Sequence, residues 1–417
     1  MFRRGVRSTA VGILLSAAAL ALNSVGAMAA TSWIPQNQQP HSEALHGVFA
    51  IDGCHVWAVG EELAGRSQII NTANGGATWN TVFPPPNSGI STTLNRVAFA
   101  GNTGYIVGEN DQGSTTSPFP NILKTIDGGV TWTDLRSTLP GGLKNWSSSD
   151  FEGLAVIGNT VGAQDVWIAW SGTNSNHYTG DKGEILHSSD GGVTWDIKLT
   201  LSGSNTGMAG VAFADATHGW AIRDDGRIYQ TITGGASWNQ IDNLSFEGNE
   251  SLEAVAAIDA THVVVVSDYG RAWYLNTAGT AFVQSTGTGS ANAFNDVTFN
   301  SAGLGYAVGE QGQAYKSTNG GQSFIGESLN NGSNFGGVSI AAGTTFTWVV
   351  GANGHISANT PPPACLPPTT TTTTTVPVVI PKLPSAGHPL MPADYNWILL
   401  LLIPAIGMLG WLSVKPD

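Results

Sequence analysis

The sequence predicts an all-β chain arranged as a seven-bladed β-propeller of four-stranded blades, on three observations. Gly supplies 54 of the 417 residues and charged side chains only 11%, against about 7% and about 25% in average proteins. Long amphipathic helices need far more Lys, Glu and Arg, so a helical protein is excluded. The 14 Trp, 14 Phe and 8 Tyr, set among Thr and Val, suit half-buried strands joined by Gly-rich turns. Third, a Gly-Gly hairpin followed by an aromatic residue recurs in phase, and a repeat of this length marks a repeat architecture.

The hairpins read Asn74-Gly75-Gly76-Ala77-Thr78-Trp79, Asp127-Gly128-Gly129-Val130-Thr131-Trp132, Asp190-Gly191-Gly192-Val193-Thr194-Trp195, Thr233-Gly234-Gly235-Ala236-Ser237-Trp238 and Asn319-Gly320-Gly321-Gln322-Ser323-Phe324. A degenerate copy runs from Thr277 to Phe282. One such hairpin is common; six in phase define a unit. Ahead of each lies an apolar strand such as His55–Gly60, Gly104–Gly108, Val166–Trp170 or Gly305–Gly309, and ahead of that a shorter one such as Gly47–Ala50, Arg96–Phe99, Gly210–Phe213 or Asp296–Phe299. Four strands per unit, a to d, is the pattern of a propeller blade. A seventh unit has Gly337–Ile340, Thr347–Gly351 and His355–Ser357 but no fourth strand before Pro361. The stretch Thr31-Ser32-Trp33-Ile34 matches the missing Thr-Trp strand, so Trp33 is expected to complete the last blade and remove an open sheet edge.

Both ends of the chain differ from this body. Arg3 and Arg4, the apolar run Val11–Leu22 and Ala27-Met28-Ala29 have the order of a secretory signal peptide, with residues 1–29 removed. Residues 30–360 form the expected propeller. Residues 361–395 are a Pro/Thr-rich spacer containing Thr369–Thr375, which cannot bury a core. Residues 396–414 are long and apolar enough for a transmembrane helix, leaving 415–417 as a short tail. The propeller is therefore expected outside the cytoplasmic membrane, anchored in it. Leu383-Pro384-Ser385-Ala386-Gly387 resembles an LPxTG sorting signal with Ala386 in place of Thr, which raises cell-wall attachment as the alternative. Cys54 and Cys365 are too few for a disulfide scaffold or a four-cysteine zinc site. Export permits one bridge between them, and the first and last blades would be neighbours, so the bridge could lock the closure.

The hairpins resemble those of the Asp-box (BNR) repeat family, in which Ser-x-Asp-Gly-Gly-x-Thr-Trp marks the turn between strands c and d. The order Trp-Ala-Val-Gly followed by that turn is most like the photosystem II assembly and stability factor family and its bacterial relatives, and more distantly like sortilin, sialidase and xyloglucanase propellers. The resemblance implies structural roles for Asn74, Trp79, Asp127, Trp132, Asp190, Trp195, Trp238, Asn319 and Phe324: the Asp or Asn accepts backbone N–H groups, paired Gly residues allow positive φ, and the aromatic ring fills the space where strands meet. It also places the Asp-box turn and the a–b connection on one face of the disk, and the b–c and d–a connections on the other.

The long irregular insertions, at Pro84–Leu94, Glu109–Asn121, Arg136–Asp150 and Ser171–Gly183, fall on that second face, and insertions gathered on one face of a repeat fold mark a binding face. Acidic residues collect there too. The candidate partner-binding residues are Glu61, Glu62, Glu109, Asp111, Asp150, Glu152, Asp224, Asp225, Glu250, Asp268 and Glu310, with His177 and Tyr178 from the longest b–c insertion. A net charge of −13, with three arginines confined to the first seven residues, argues against nucleic acid, whose phosphates demand Lys and Arg.

No catalytic residue is assigned. The Phe/Tyr-Arg-Ile-Pro motif of sialidases is missing, the nine His are scattered without a metal-binding pattern, and neither metal nor cofactor is expected. The expected function is a protein-binding scaffold that serves assembly or stability of a membrane or envelope complex. The alternative is a carbohydrate-active propeller, with Asp150 and Glu152 facing Glu250 and Glu253 as a carboxylate pair and Trp146, Phe119 and Tyr178 stacking on sugar rings.

Overall fold

The structure, a computed structural model, describes residues 33–36, 42–360 and 365, apart from 64, 83, 86–89, 111–118, 144–145, 147, 159–163, 174–180, 204–206, 245–249, 277–278, 290–291 and 330–331. The expected signal peptide, the spacer apart from Cys365, the transmembrane segment and the tail lie outside the described residues, as do Asp111, His177 and Tyr178. Among the described residues no helix is long and apolar enough to cross a membrane.

Seven antiparallel four-stranded sheets form the blades of a propeller. Blade 1 shows the plan: strand a Leu45–Ala50, b Val56–Leu63, c Arg66–Thr72 and d Asn80–Val82. Strand a of each blade, starting at Leu45, Leu94, Ser148, Met208, Leu252, Phe294 and Phe335, touches strand a of the next, and the last touches the first. The a strands therefore surround a central channel. Blade 7 takes its outer strand from the other end of the chain: Ile34 pairs with Ala358 and Pro35 with Ser357. Cys54, in the a–b turn of blade 1, is bonded to Cys365 beyond that blade.

The core is a set of seams between blades. Residues alternate along strand b, so Val56 and Ala58 pack toward blade 7 while Trp57 and Val59 pack toward blade 2, as the two-residue period of a strand requires. The aromatic residue of strand b meets the hairpin aromatic of the next blade: Trp57 with Trp132 at 5.6 Å, Trp167 with Trp238 at 6.2 Å and Trp348 with Trp79 at 5.9 Å between ring centroids. Trp33 meets Tyr306 of blade 6 at 5.5 Å in the same relation, so the N-terminal strand fills a place defined by the repeat.

The hairpins obey one bonding scheme. Asp190 accepts from the N–H of Thr194 at 2.9 Å and from its hydroxyl at 2.6 Å, and Asp127 binds Thr131 in the same way. Hydrogen bonds from the Thr131 hydroxyl and N–H lower Asp127 to about 2; Asp190, despite an opposing desolvation effect, is likewise held at about 2 by the bonds from Thr194. Asn74 and Asn319 accept the equivalent N–H groups. The first Gly donates to the a–b turn of its own blade, as Gly75 to Cys54 and Gly128 to Asn102, which places both turns on one face. In blade 5 the acceptor is Asn276, bonded to Thr280 N–H at 3.0 Å, one residue earlier than the alignment on Thr277 predicts; that copy kept the turn with a single Gly.

Blade 3 departs from expectation. The insertion Ser171–Gly183 is in part regular, because strands b (Asp165–Thr173) and c (Asp181–Ser188) run on into it, with Ser171 opposite Gly183. The extension buries Glu184, only 1% exposed, in an ion pair with Lys182.

Candidate functional site

Strand a carries a β-bulge in every blade, at its second position except in blade 3, whose strand starts earlier: between Leu45 and Gly47, Leu94 and Arg96, Phe151 and Gly153, Met208 and Gly210, Leu252 and Ala254, Phe294 and Asp296, and Phe335 and Gly337. A bulge bends the strand and re-aims a side chain. The bulged residues are His46, Asn95, Glu152, Ala209, Glu253, Asn295 and Gly336. Asn95 and Asn295 donate to the carbonyls of Phe151 and Phe335 in the following blades, at 3.2 and 2.7 Å. Glu152 and Glu253 line the channel with Arg96 and Asp296, around a cavity of about 120 Å³ that continues into one of about 260 Å³ toward the b–c face. The opposite end of the channel is apolar: a cavity of about 400 Å³ bounded by Phe49, Ile51, Phe99, Ile157, Phe213 and Ile340.

A rim of carboxylates surrounds the acidic mouth. Glu61, Glu109, Asp268 and Glu310 each follow the apolar part of strand b, and each N–H donates to the carbonyl of the residue before strand a: Ala44, Thr93, Ser251 and Ala293. Ala352 makes the same bond in blade 7 without a charge. Asp224 follows strand b of blade 4 and borders the 260 Å³ cavity. Glu109 of blade 2 bridges to Asp150 of blade 3 through the backbone, and burial followed by the Asp150 charge raises the Glu109 carboxyl above its ordinary value. Burial, with Asp150 next in size, pushes Glu152 up to about 7, and burial with Asp268 does the same to Glu253. Burial raises Asp296 against the opposing charge of Arg96, while its Oδ2 accepts the Val338 N–H at 2.8 Å. Burial also lowers His46, whose Nε2 stands 3.7 Å from Glu61.

The remaining candidates sort differently. Glu62 is exposed on the outer part of strand b. Asp225 sits between Arg223, at 2.8 Å, and Arg227. Glu250, 4% exposed, takes the Ser267 hydroxyl at 2.6 Å and the Arg271 guanidinium at 3.1 Å. These two carboxylates are already engaged within the protein. Trp146 makes a T-shaped contact with Trp170 at 5.4 Å and donates to Gly142 O, and Phe119 packs against the same core; both rings are partly buried.

Residues absent from the partner-binding candidates are Arg96, Asp296 and Glu253, the last named only for the carbohydrate alternative; their signal is a charge at the second or third position of an otherwise apolar strand a. A second overlooked repeat is the Asp-x-x-His of the a–b turns, at Asp52/His55, Asp215/His218 and Asp259/His262, where each Asp accepts the His ring at 2.8–3.0 Å and two backbone N–H groups. These pairs build turns. Among the described residues no group of His, Cys, Asp and Glu could hold a metal ion.

No protein-family model matches this chain, and no functionally curated protein is similar to it. Solved structures define the class, a seven-bladed propeller. YCF48 bound to a D1 peptide is 18% identical with a TM-score of 0.55, over 78% of this chain and 94% of that one. YCF48 from Cyanidioschyzon merolae is 19% identical with a TM-score of 0.55, over 79% and 98%. The WD40 propeller domain of Doa1 is 12% identical with a TM-score of 0.53, over 79% and 95%. At these identities the likeness is one of fold.

Proposed function

We propose that the protein is a non-catalytic scaffold whose acidic rim docks a partner protein through a basic surface, in the assembly or stability of a membrane or envelope complex. The observation that carries this reading is the rim itself: the position after the apolar part of strand b holds a carboxylate in blades 1, 2, 5 and 6, each tied to the start of strand a by the same backbone bond. A ring of one sign focuses the field over the channel and attracts the opposite charge. The likeness in fold to YCF48, one structure of which holds a D1 peptide, supports a peptide or protein as the partner. The Asp-box pattern of the hairpins supports a place among the bacterial relatives of that family. The signal-peptide-like N-terminus and the apolar stretch at 396–414 support an exported propeller anchored in the cytoplasmic membrane.

The test is affinity capture of tagged full-length protein from gently solubilised membranes, beside a variant with Glu61, Glu109, Asp268 and Glu310 changed to Lys. Recovery of one defined complex by the unaltered protein alone is the expected result. Equal recovery by both would move the docking site off the rim.

A further inference from the structure

The throat below the rim holds two carboxylates, Glu152 and Glu253. Glu152 and Glu253 hold the bulge position at which Asn95 and Asn295 donate to the next blade, but an ionised carboxylate has no hydrogen to donate. Among the described residues neither glutamate makes a hydrogen bond or an ion pair. Arg96 donates to the carbonyl of Asn95 at 3.1 Å and forms no ion pair with the carboxylates that share its cavity. Two half-buried acceptors thus face an open space of about 260 Å³ with Asp224, Ser171 and Ser251 on its wall. With the 120 Å³ space it continues into, it lies at the small end of the roughly 300–1,000 Å³ of small-molecule sites, and its charged wall suits one charged side chain. The described carboxylates do not converge tightly enough for a metal ion, which leaves an organic cation.

We infer that the throat is a socket for a single lysine or arginine side chain of the partner protein, with Glu152 and Glu253 as its counter-charges and Arg96 limiting its depth. This deepens the scaffold reading and rests on it for the source of the side chain. The charged groups facing Glu152 are Asp150, Arg96 and Glu109; those facing Glu253 are Asp268, Glu152, Arg96 and Asp224. A cation between the two glutamates favours their ionised forms. With both groups at about 7, affinity falls about tenfold for each required ionisation as pH drops from 8 to 6.

The experiment titrates full-length protein with a blocked Ala/Gly heptapeptide carrying one central lysine, then with its arginine and N-acetyl-lysine counterparts, up to millimolar concentration. The lysine and arginine peptides are expected to bind at least tenfold tighter than the acetylated one. Glu152→Gln and Glu253→Gln should each weaken binding about tenfold or more and flatten its pH dependence. Equal binding of the acetylated peptide, no binding at all, or unchanged affinity in the double variant overturns the socket. Thermal melting of the same variants supplies the second readout, because Gln can donate to the next blade as Asn does: a raised Tm with unchanged affinity would make the glutamates clamps, not counter-charges. Peptide binding that survives while the rim-reversed variant still recovers its complex would remove the rim reading alone. Recovery that needs the rim but ignores both Gln variants would remove the socket alone.

Discussion

Asn95, Glu152, Glu253 and Asn295 stand at one position of strand a, and their chemistry divides them. The amide side chains of Asn95 and Asn295 tie one blade to the next; the carboxylates are left in the channel at about 7. In the folded state these glutamates keep a proton that the unfolded chain releases near its ordinary value of about 4.3. Their contribution to stability is therefore fullest near pH 4 and is lost as pH rises through 7. Asp127, Asp190 and Asp259 act in the opposite sense: lowered to about 2, they stabilise above their ordinary pKa and lose that effect as pH falls through 2. A melting series should thus show Tm highest a little above pH 4, declining toward pH 7 and levelling off above it. Glu152→Gln with Glu253→Gln should flatten the decline; an unchanged decline would place its cause elsewhere.

At the scale of the element, the c–d hairpin joins blade to blade, and its two glycines have different duties. Gly128 has φ of +72° with open space where a Cβ would stand, whereas Gly129 has φ of +90° and a Cβ there would lie 2.1 Å from the Trp57 ring. Gly128→Ala is expected to cost about 1–2 kcal/mol in denaturant unfolding, the strain of a left-handed alanine. Gly129→Ala adds overpacking of about 1–3 kcal/mol and should cost clearly more. Equal losses would show that Trp57 can yield. The hairpin pattern was legible in the sequence because its bonds join residues at most four apart, as Asp190 to Thr194. The role of the second Gly was only half legible: positive φ is local, but the ring it must clear belongs to the preceding blade.

At the scale of the whole molecule, closure couples chain segments more than 300 residues apart. Ile34 pairs with Ala358, and the Cys54–Cys365 bridge spans 311 residues of sequence. The bridge restricts the unfolded chain, an effect worth at most about 5–6 kcal/mol for so long a loop on the chain-entropy model. Changing both cysteines to Ser should lower the denaturation midpoint without altering the native spectrum, since strand pairing still closes the ring. A midpoint that does not move would mean that the reduced unfolded chain stays compact.

The sequence by itself determined the blades, their number and the strand that closes the ring. Each blade is written as a local pattern of alternating apolar residues, Gly-Gly turns and aromatic anchors, and repetition makes that pattern readable. It also placed Glu61, Glu109, Asp268 and Glu310 on one face, through their common position after strand b. The throat was decided by tertiary structure alone. A bulge in strand a turns Glu152 and Glu253 into the channel, and ring closure brings them to Arg96 and Asp296 from blades far apart in the chain. Their shifted acidity comes first from burial, which no stretch of sequence contains, and then from charges on their own blades, Asp150 and Asp268, and on neighbouring ones. Glu250 and Asp225 found their arginines within a single blade, because a carboxylate that is solvated in an isolated strand must find a partner once packing removes its water.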